Sequence, residues 1–350
     1  MRWDGLTRGE DMTEGRPGPG PMALFGRDAV ARTFDTPGFR GMTFYEVQAR
    51  SIINKVPAAS RVPFEYTINP YRGCGHACVY CFARRTHTYL DLDSGLDFNS
   101  KIIVKVNAGE LARRELARPS WTGSHVAMGT NVDCYQRAEG RYRLMPGIIG
   151  ALRDARNPFS ILTKGTLLLR DLDLLEEAAE RTEVALNYSV GFTDAALSAA
   201  VEPGTPAPAR RLEACATITS RGLRCGVLMG PVLPFLSDSP AQIERTVRQI
   251  ADAGAASVSP IVLHLRPGAR EWFMQWLAEQ HPGLVPRYTE LYRSGSYAPK
   301  SYQQRISAQV AELSAKYRIG SASPAAARRV PAGSEQRSQE PGRGEQLTLL

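Results

Sequence analysis

Asn69-Pro70-Tyr71-Arg72-Gly73-Cys74-Gly75-His76-Ala77-Cys78-Val79-Tyr80-Cys81-Phe82-Ala83-Arg84 is the stretch whose reading decides the fold. Three of the six cysteines of the chain fall inside it, spaced C-x-x-x-C-x-x-C. Proline fixes φ and glycine lets the backbone fold tightly, so such a loop can turn three thiols toward one point. Convergent thiolates are soft ligands, suited to iron–sulfur or to zinc. Each sulfur must give up its proton to bind. Ligand number separates the two readings. Structural zinc wants four protein ligands, and His76 or His87 would have to complete the set, although neither lies at finger-like spacing. A 4Fe–4S cluster on three cysteines keeps one iron open for a further ligand. A disulfide framework does not suit a chain of this length without a secretion signal.

C-x-x-x-C-x-x-C with an aromatic, Tyr80, just before its last cysteine resembles the signature of the radical S-adenosylmethionine (SAM) enzymes. The flanks Asn-Pro-Tyr-x-Gly-Cys-x-His-x-Cys-x-Tyr-Cys are similar to the branch of spore photoproduct lyase, also called DNA-repair-photolyase-like. The resemblance implies Cys74, Cys78 and Cys81 as cluster ligands, and 4Fe–4S and SAM as cofactors. It also implies reductive cleavage of SAM to a 5′-deoxyadenosyl radical that takes hydrogen from the substrate. The cofactors carry this chemistry and the protein positions and shields it. An electron donor of flavodoxin or ferredoxin type is implied with it.

At 350 residues the chain suits one barrel-sized domain with appendages, or two smaller domains. Hydrophobic residues at 43% and charged residues at 22% are ordinary for a globular protein. No apolar run reaches the length of a membrane span, and residues 1–22 lack the apolar core of a secretion signal, so a reduced, cytoplasmic location is expected. The net charge of +8 permits a polyanionic partner such as nucleic acid. Basic residues such as Arg113, Arg114, Arg210 and Arg328 explain part of it as solvated surface.

Along the chain, residues 1–60 read as a partly flexible N-terminal extension, 61–315 as the main domain and 316–350 as a disordered tail. The spacing Thr43–Ile53 predicts a short helix. Strands are predicted at Phe64–Ile68, Ile102–Val106, His125–Thr130, Phe159–Thr163, Glu183–Ser189, Arg224–Met229 and Ala256–Leu263. Helices are predicted at Gly109–Ala117, Gly147–Ala155, Leu168–Arg181, Pro208–Arg221, Pro240–Ala253 and Ala269–Glu279. Alternating β and α at this spacing argues for parallel strands with right-handed crossovers. Six or so units make an α/β fold, an open, partial (βα)6-type TIM-like barrel, which the resemblance also implies. In βα barrels chemistry sits where strands end. Unusual polar residues fall there: the cysteines, Asn131 with Asp133, Lys164, Ser189, and His264 with Arg266.

The resemblance extends over most of residues 63–300. Asp133-x-Tyr135-Gln136-x-x-Glu139, Leu162-Thr163-Lys164, and Glu202-Pro203-x-Thr205-Pro206 with Arg211 match elements of the branch. It implies SAM contacts by Lys164 and Ser189, with Asn131 near a third such position. Two positions depart from the pattern. Phe82 stands where the branch has a tyrosine, and its hydrogen-donating cysteine falls near Gly129 or Thr130. Cys134 is the candidate substitute donor. Arg84, Arg85, Arg137 and Arg266 are candidate rim residues for a nucleic-acid substrate. Gln346-Leu347-Thr348-Leu349-Leu350 resembles the peptide by which bacterial proteins dock on the DNA sliding clamp, here on a tether with a reach of about 25–30 Å. Two other readings remain open: radical modification of a protein or small molecule, and a non-catalytic iron–sulfur sensor or recruitment factor.

Overall fold

The structure, a computed structural model, describes residues 29–57, 60 and 62–320. Residues 1–28 of the N-terminal extension and residues 321–350 of the expected 316–350 tail, with the Gln346–Leu350 peptide, lie outside the described residues. Two sheets organise the chain. The larger comprises β3 (Ile53–Lys55), β4 (Tyr66–Ile68), β7 (Val126–Met128), β8 (Phe159–Thr163), β9 (Val184–Ser189), β10 (Cys225–Val232) and β11 (Ser257–Val262). Their order is β11-β10-β9-β8-β7-β4-β3. From β4 to β11 every pairing is parallel, and only β3 runs antiparallel at the edge. Six parallel strands in sequential order, left open between β11 and β3, make the α/β, TIM-like arrangement expected from the sequence.

The connections are helical because the sequence supplies periodic apolar faces and clear starts. Helix Pro240–Asp252 begins with Ser239 and Gln242 in a reciprocal capping box and with proline at its first turn. Helix Leu144–Asp154 buries Ile148, Ile149 and Leu152 completely, each contributing about 1.5–3 kcal/mol. Together with helices Ala108–Leu116, Leu172–Ala179 and Pro208–Ser220 it covers one face of the sheet in a single hydrophobic core.

Two expectations are corrected. The predicted helix over Thr43–Ile53 is instead strand β2 (Thr43–Val47) followed by β3. Thr43, Phe44, Tyr45 and Val47 are β-branched or aromatic and fit a pleated surface better than a helix. The predicted strand Ile102–Val106 forms as β6 (Lys101–Lys105), but outside the parallel set. It joins β1 (Val30–Thr33), β2 and β5 (Tyr71–Arg72) in a second sheet of order β1-β2-β6-β5. Ile102 and Val104 are drawn there by a separate core with Phe34, Phe39, Phe44 and Phe98. Strand β5 ends two residues before Cys74, so this small sheet anchors one side of the cysteine loop.

The C-terminal end of β7 meets β8 closely. Gly129 has φ +76°, and a Cβ there would stand 1.8 Å from the Leu162 carbonyl oxygen. Gly129→Ala is therefore expected to destabilise the chain by about 3 kcal/mol. Urea denaturation of the metal-free protein checks this, and a change under 1 kcal/mol (roughly the size of a tolerated core substitution) would show that the contact relaxes freely.

Candidate functional site

The cysteine loop is held by three polar side chains of the segment that follows β7. Gln136, fully buried, accepts from the Gly75 amide at 2.9 Å and donates to the Gly73 carbonyl at 2.9 Å. Asp133 Oδ2 lies 3.3 Å from His76 Nδ1. Glu139, fully buried, accepts from the Tyr71 hydroxyl at 2.5 Å and pairs with Arg170 at 2.8 Å. Residues 133, 136 and 139 thus grip positions 71, 73, 75 and 76, and the Asp133-x-x-Gln136-x-x-Glu139 spacing is the footprint of that grip. Gly73 has φ +79°, and a Cβ would lie 2.9 Å from both the His87 ring and the Lys101 carbonyl, so only glycine fits there.

Arg84 holds the other side. It is fully buried, donates to the carbonyls of Cys78 at 2.9 Å and Gly95 at 2.8 Å, and lies over the rings of Phe98 and Trp272. The expectation that Arg84 meets substrate at the rim is therefore corrected: its charge is needed inward, where several carbonyls converge. Arg85 and Arg266 are exposed, and Arg137 is half-buried.

Cys74, Cys78 and Cys81 line one cavity. Burial pushes all three thiols up, Cys78 to about 12 although Lys164 and Arg211 pull against it, and at Cys74 the Asp133 carboxylate adds to the effect. Ligation must displace these protons, which only a strongly bound cation achieves. His76 is engaged with Asp133, and His87 Nε2 lies 2.9 Å from the Lys101 carbonyl, so neither histidine is turned to complete a zinc set. Among the described residues no three His, Cys, Asp or Glu side chains close on one point as around a single ion. Three soft sulfurs edging a common hollow fit a larger polynuclear group.

A charged network adjoins the thiols in the same cavity. Lys164 Nζ, at the end of β8, donates to Ser189 Oγ at 2.8 Å, and that hydroxyl donates to the Gly230 carbonyl at 2.8 Å. Lys164 Nζ also lies 3.9 Å from Glu202 and 5.8 Å from the Tyr80 ring centre. Glu202 takes the Tyr80 hydroxyl and Arg211. Burial works against its charge, but Arg211, Lys164 and Tyr80 outweigh this and hold its carboxyl below the usual range. Arg211, itself buried, donates to the Ser189 carbonyl at 2.8 Å and so fixes the end of β9. Tyr80, Asn131, Lys164 and Ser189 all line the cavity with the cysteines. Cys134 does not: it is fully buried in the main core. Nothing in the sequence signals Arg84's inward role, and His264 with Phe82, which line the cavity, is legible there only as polar and aromatic residues near strand ends.

A model of the radical SAM superfamily matches residues 68–258. The chain belongs to the radical SAM superfamily. Its cofactors are those of the family, a 4Fe–4S cluster and S-adenosylmethionine, and the cavity offers the donors both need. An uncharacterized protein of Mycobacterium tuberculosis is 53% identical over 293 residues, covering 84% of this chain and 86% of that protein. An uncharacterized protein of Methanocaldococcus jannaschii is 28% identical over 195 residues, covering 55% and 69% of the two. Among solved structures, spore photoproduct lyase complexed with dinucleoside spore photoproduct superposes with TM-score 0.62 at 15% identity, covering 88% of this chain and 86% of that one. This radical SAM chain therefore shares the spore photoproduct lyase fold. Among the described residues no helix is long and apolar enough to cross a membrane.

Asp133 offers a test of the grip. Burial raises its carboxyl, yet His76, Lys164 N–H and the Thr163 hydroxyl together bring it down from 3.8 to about 2. A folded-state value below the unfolded one stabilises above the unfolded pKa and is lost as pH falls through the folded one. About 2 kcal/mol should thus vanish between roughly pH 4 and pH 2. Stability curves of the wild type and Asp133→Asn should converge in that window; parallel curves would show that Asp133 contributes nothing through its charge.

Proposed function

We propose that this radical SAM enzyme abstracts hydrogen from a nucleic-acid substrate, a lesion or modified nucleotide, in a lyase-like reaction. The observation that carries the reading is one cavity lined both by three thiols and by the Lys164–Ser189 pair, at the C-terminal ends of parallel strands. When bound, the cluster and S-adenosylmethionine supply one-electron chemistry and a hydrogen-abstracting radical. The chain does the rest. Lys164 presents an ammonium suited to the carboxylate of SAM, and Ser189 a hydroxyl suited to its polar groups. Glu202 and Arg211 keep both in place and lock the Tyr80 ring by its hydroxyl. Val132, Leu228 and Leu263 supply apolar wall and exclude water from a radical. The fold, the shared elements of residues 63–300 and the net charge of +8 support nucleic acid as substrate class.

Two features support a substrate other than the spore photoproduct itself. Phe82 has no hydroxyl to give, and Gly129 has no room for a side chain. A one-electron donor, of flavodoxin or ferredoxin type, completes the system, and the 346–350 peptide would bring the enzyme to a sliding clamp.

Anaerobically reconstituted, reduced protein should form 5′-deoxyadenosine from SAM, and deuterated DNA lesions should pass deuterium into it. Binding of SAM without any 5′-deoxyadenosine would instead favour a sensor. Lys164→Ala should lower kcat/KM for 5′-deoxyadenosine formation about 10- to 100-fold at unchanged iron content. Cys78→Ala should lose the iron–sulfur absorbance itself. Equal rates for Lys164→Ala and wild type would remove Lys164 from the SAM site.

A further inference from the structure

Three rings lead from the cavity wall to solvent. Phe82 directly follows the last cysteine of the loop and His264 follows β11; both line the cavity. Their ring centres lie 5.5 Å apart, and His264 lies 5.7 Å from Tyr297. The rings are tilted by 53° and 48°, so they form a stepped ladder rather than a closed stack. Tyr297 is 53% exposed, a large ring surface left to water. It does not sit on a loose loop. His264 and Tyr297 are partners in an antiparallel bridge, and the Leu265 amide donates to the Ser296 carbonyl at 2.7 Å.

Cations flank the ladder. Arg266, exposed, places its guanidinium 5.6 Å from the Phe82 ring centre and donates to the Tyr297 hydroxyl at 3.1 Å. Arg85, also exposed, runs its stem beside Gly268, where an added Cβ would lie 3.3 Å from Arg85 Cβ. Glu271, on the same turn, turns its carboxylate to the Gly268 amide at 2.6 Å. His264 Nδ1 is buried with no hydrogen-bond partner among the described residues, an unmet polar atom on the path into the cavity. Aromatic faces interleaved with arginines suit an unstacked base and its phosphate, since every base has a π-face and every nucleotide a negative charge.

We propose that Tyr297, His264 and Phe82, with Arg266 and Arg85 beside them, form a stacking platform that receives a single-stranded or extruded nucleotide and leads it to the cavity. Tyr297 takes the base on its exposed face, and Arg266 and Arg85 reach the adjoining phosphates. The proposal rests on the nucleic-acid reading above and names where that substrate is held.

The test is fluorescence anisotropy of the reconstituted full-length protein with a short fluorescein-labelled oligothymidylate at fixed salt, with iron content and unfolding midpoint as folding controls. Tyr297→Ala should weaken binding about 10-fold or more, whereas Tyr297→Phe, which keeps the ring, should stay within about 2-fold of wild type. Arg266→Gln should weaken binding and reduce the slope of log affinity against log salt by about one. If the wild type binds and Tyr297→Ala binds equally well, the platform is overturned while the nucleic-acid reading stands. Equal losses in Tyr297→Ala and Tyr297→Phe would overturn it too, because the ring would then not be the contact. No binding by the wild type would overturn both, leaving the radical chemistry to its own assay.

Discussion

The cysteine loop depends on buried polar groups that grip it from both sides. A loop that turns three thiols to one cavity leaves backbone amides and carbonyls without partners, and buried ones must be satisfied. Gln136 satisfies Gly73 and Gly75, and Arg84 satisfies Cys78 and Gly95. Asp133 and Glu139 add charge-assisted bonds to His76 and Tyr71, of a type that contributes about 1.5–3 kcal/mol each. The loop is therefore set by the protein and not by a metal alone.

The same economy of contacts shapes the cavity. Lys164 and Ser189 end neighbouring strands, so their pairing needs only the strand register that the parallel sheet already provides. Glu202 and Arg211 come from outside the sheet and neutralise each other in a place where either alone would be heavily penalised. Their pairing leaves Lys164 close to Glu202 yet directed at a hydroxyl, so its ammonium remains available to an anionic guest.

Much of this is legible in the sequence. The β8 strand falls on Phe159–Thr163 as expected, and helix Pro240–Asp252 starts at the expected Pro240 and ends one residue before the expected Ala253. The small sheet was not legible. Its strands β1, β2, β5 and β6 are short, and which sheet a short apolar run joins is decided by distant partners such as Phe39 and Phe44. Arg84 misled for a related reason: an arginine beside a site reads as a substrate contact until the carbonyls that surround it are seen. The Asp133, Gln136 and Glu139 spacing was visible as a motif, but its purpose, to hold the cysteine loop, appeared only when the two segments met. Tyr297 carries no local signal at all, because its partner His264 is far away in sequence.

The central claim is that three cysteines hold a cubane with one iron left for SAM. Electron paramagnetic resonance of the reduced, reconstituted protein measures this most directly. The account predicts a 4Fe–4S signal whose g-values shift on addition of SAM, as they must if SAM ligates the open iron. A cluster signal indifferent to saturating SAM, or one that shows a fourth protein ligand, would contradict it.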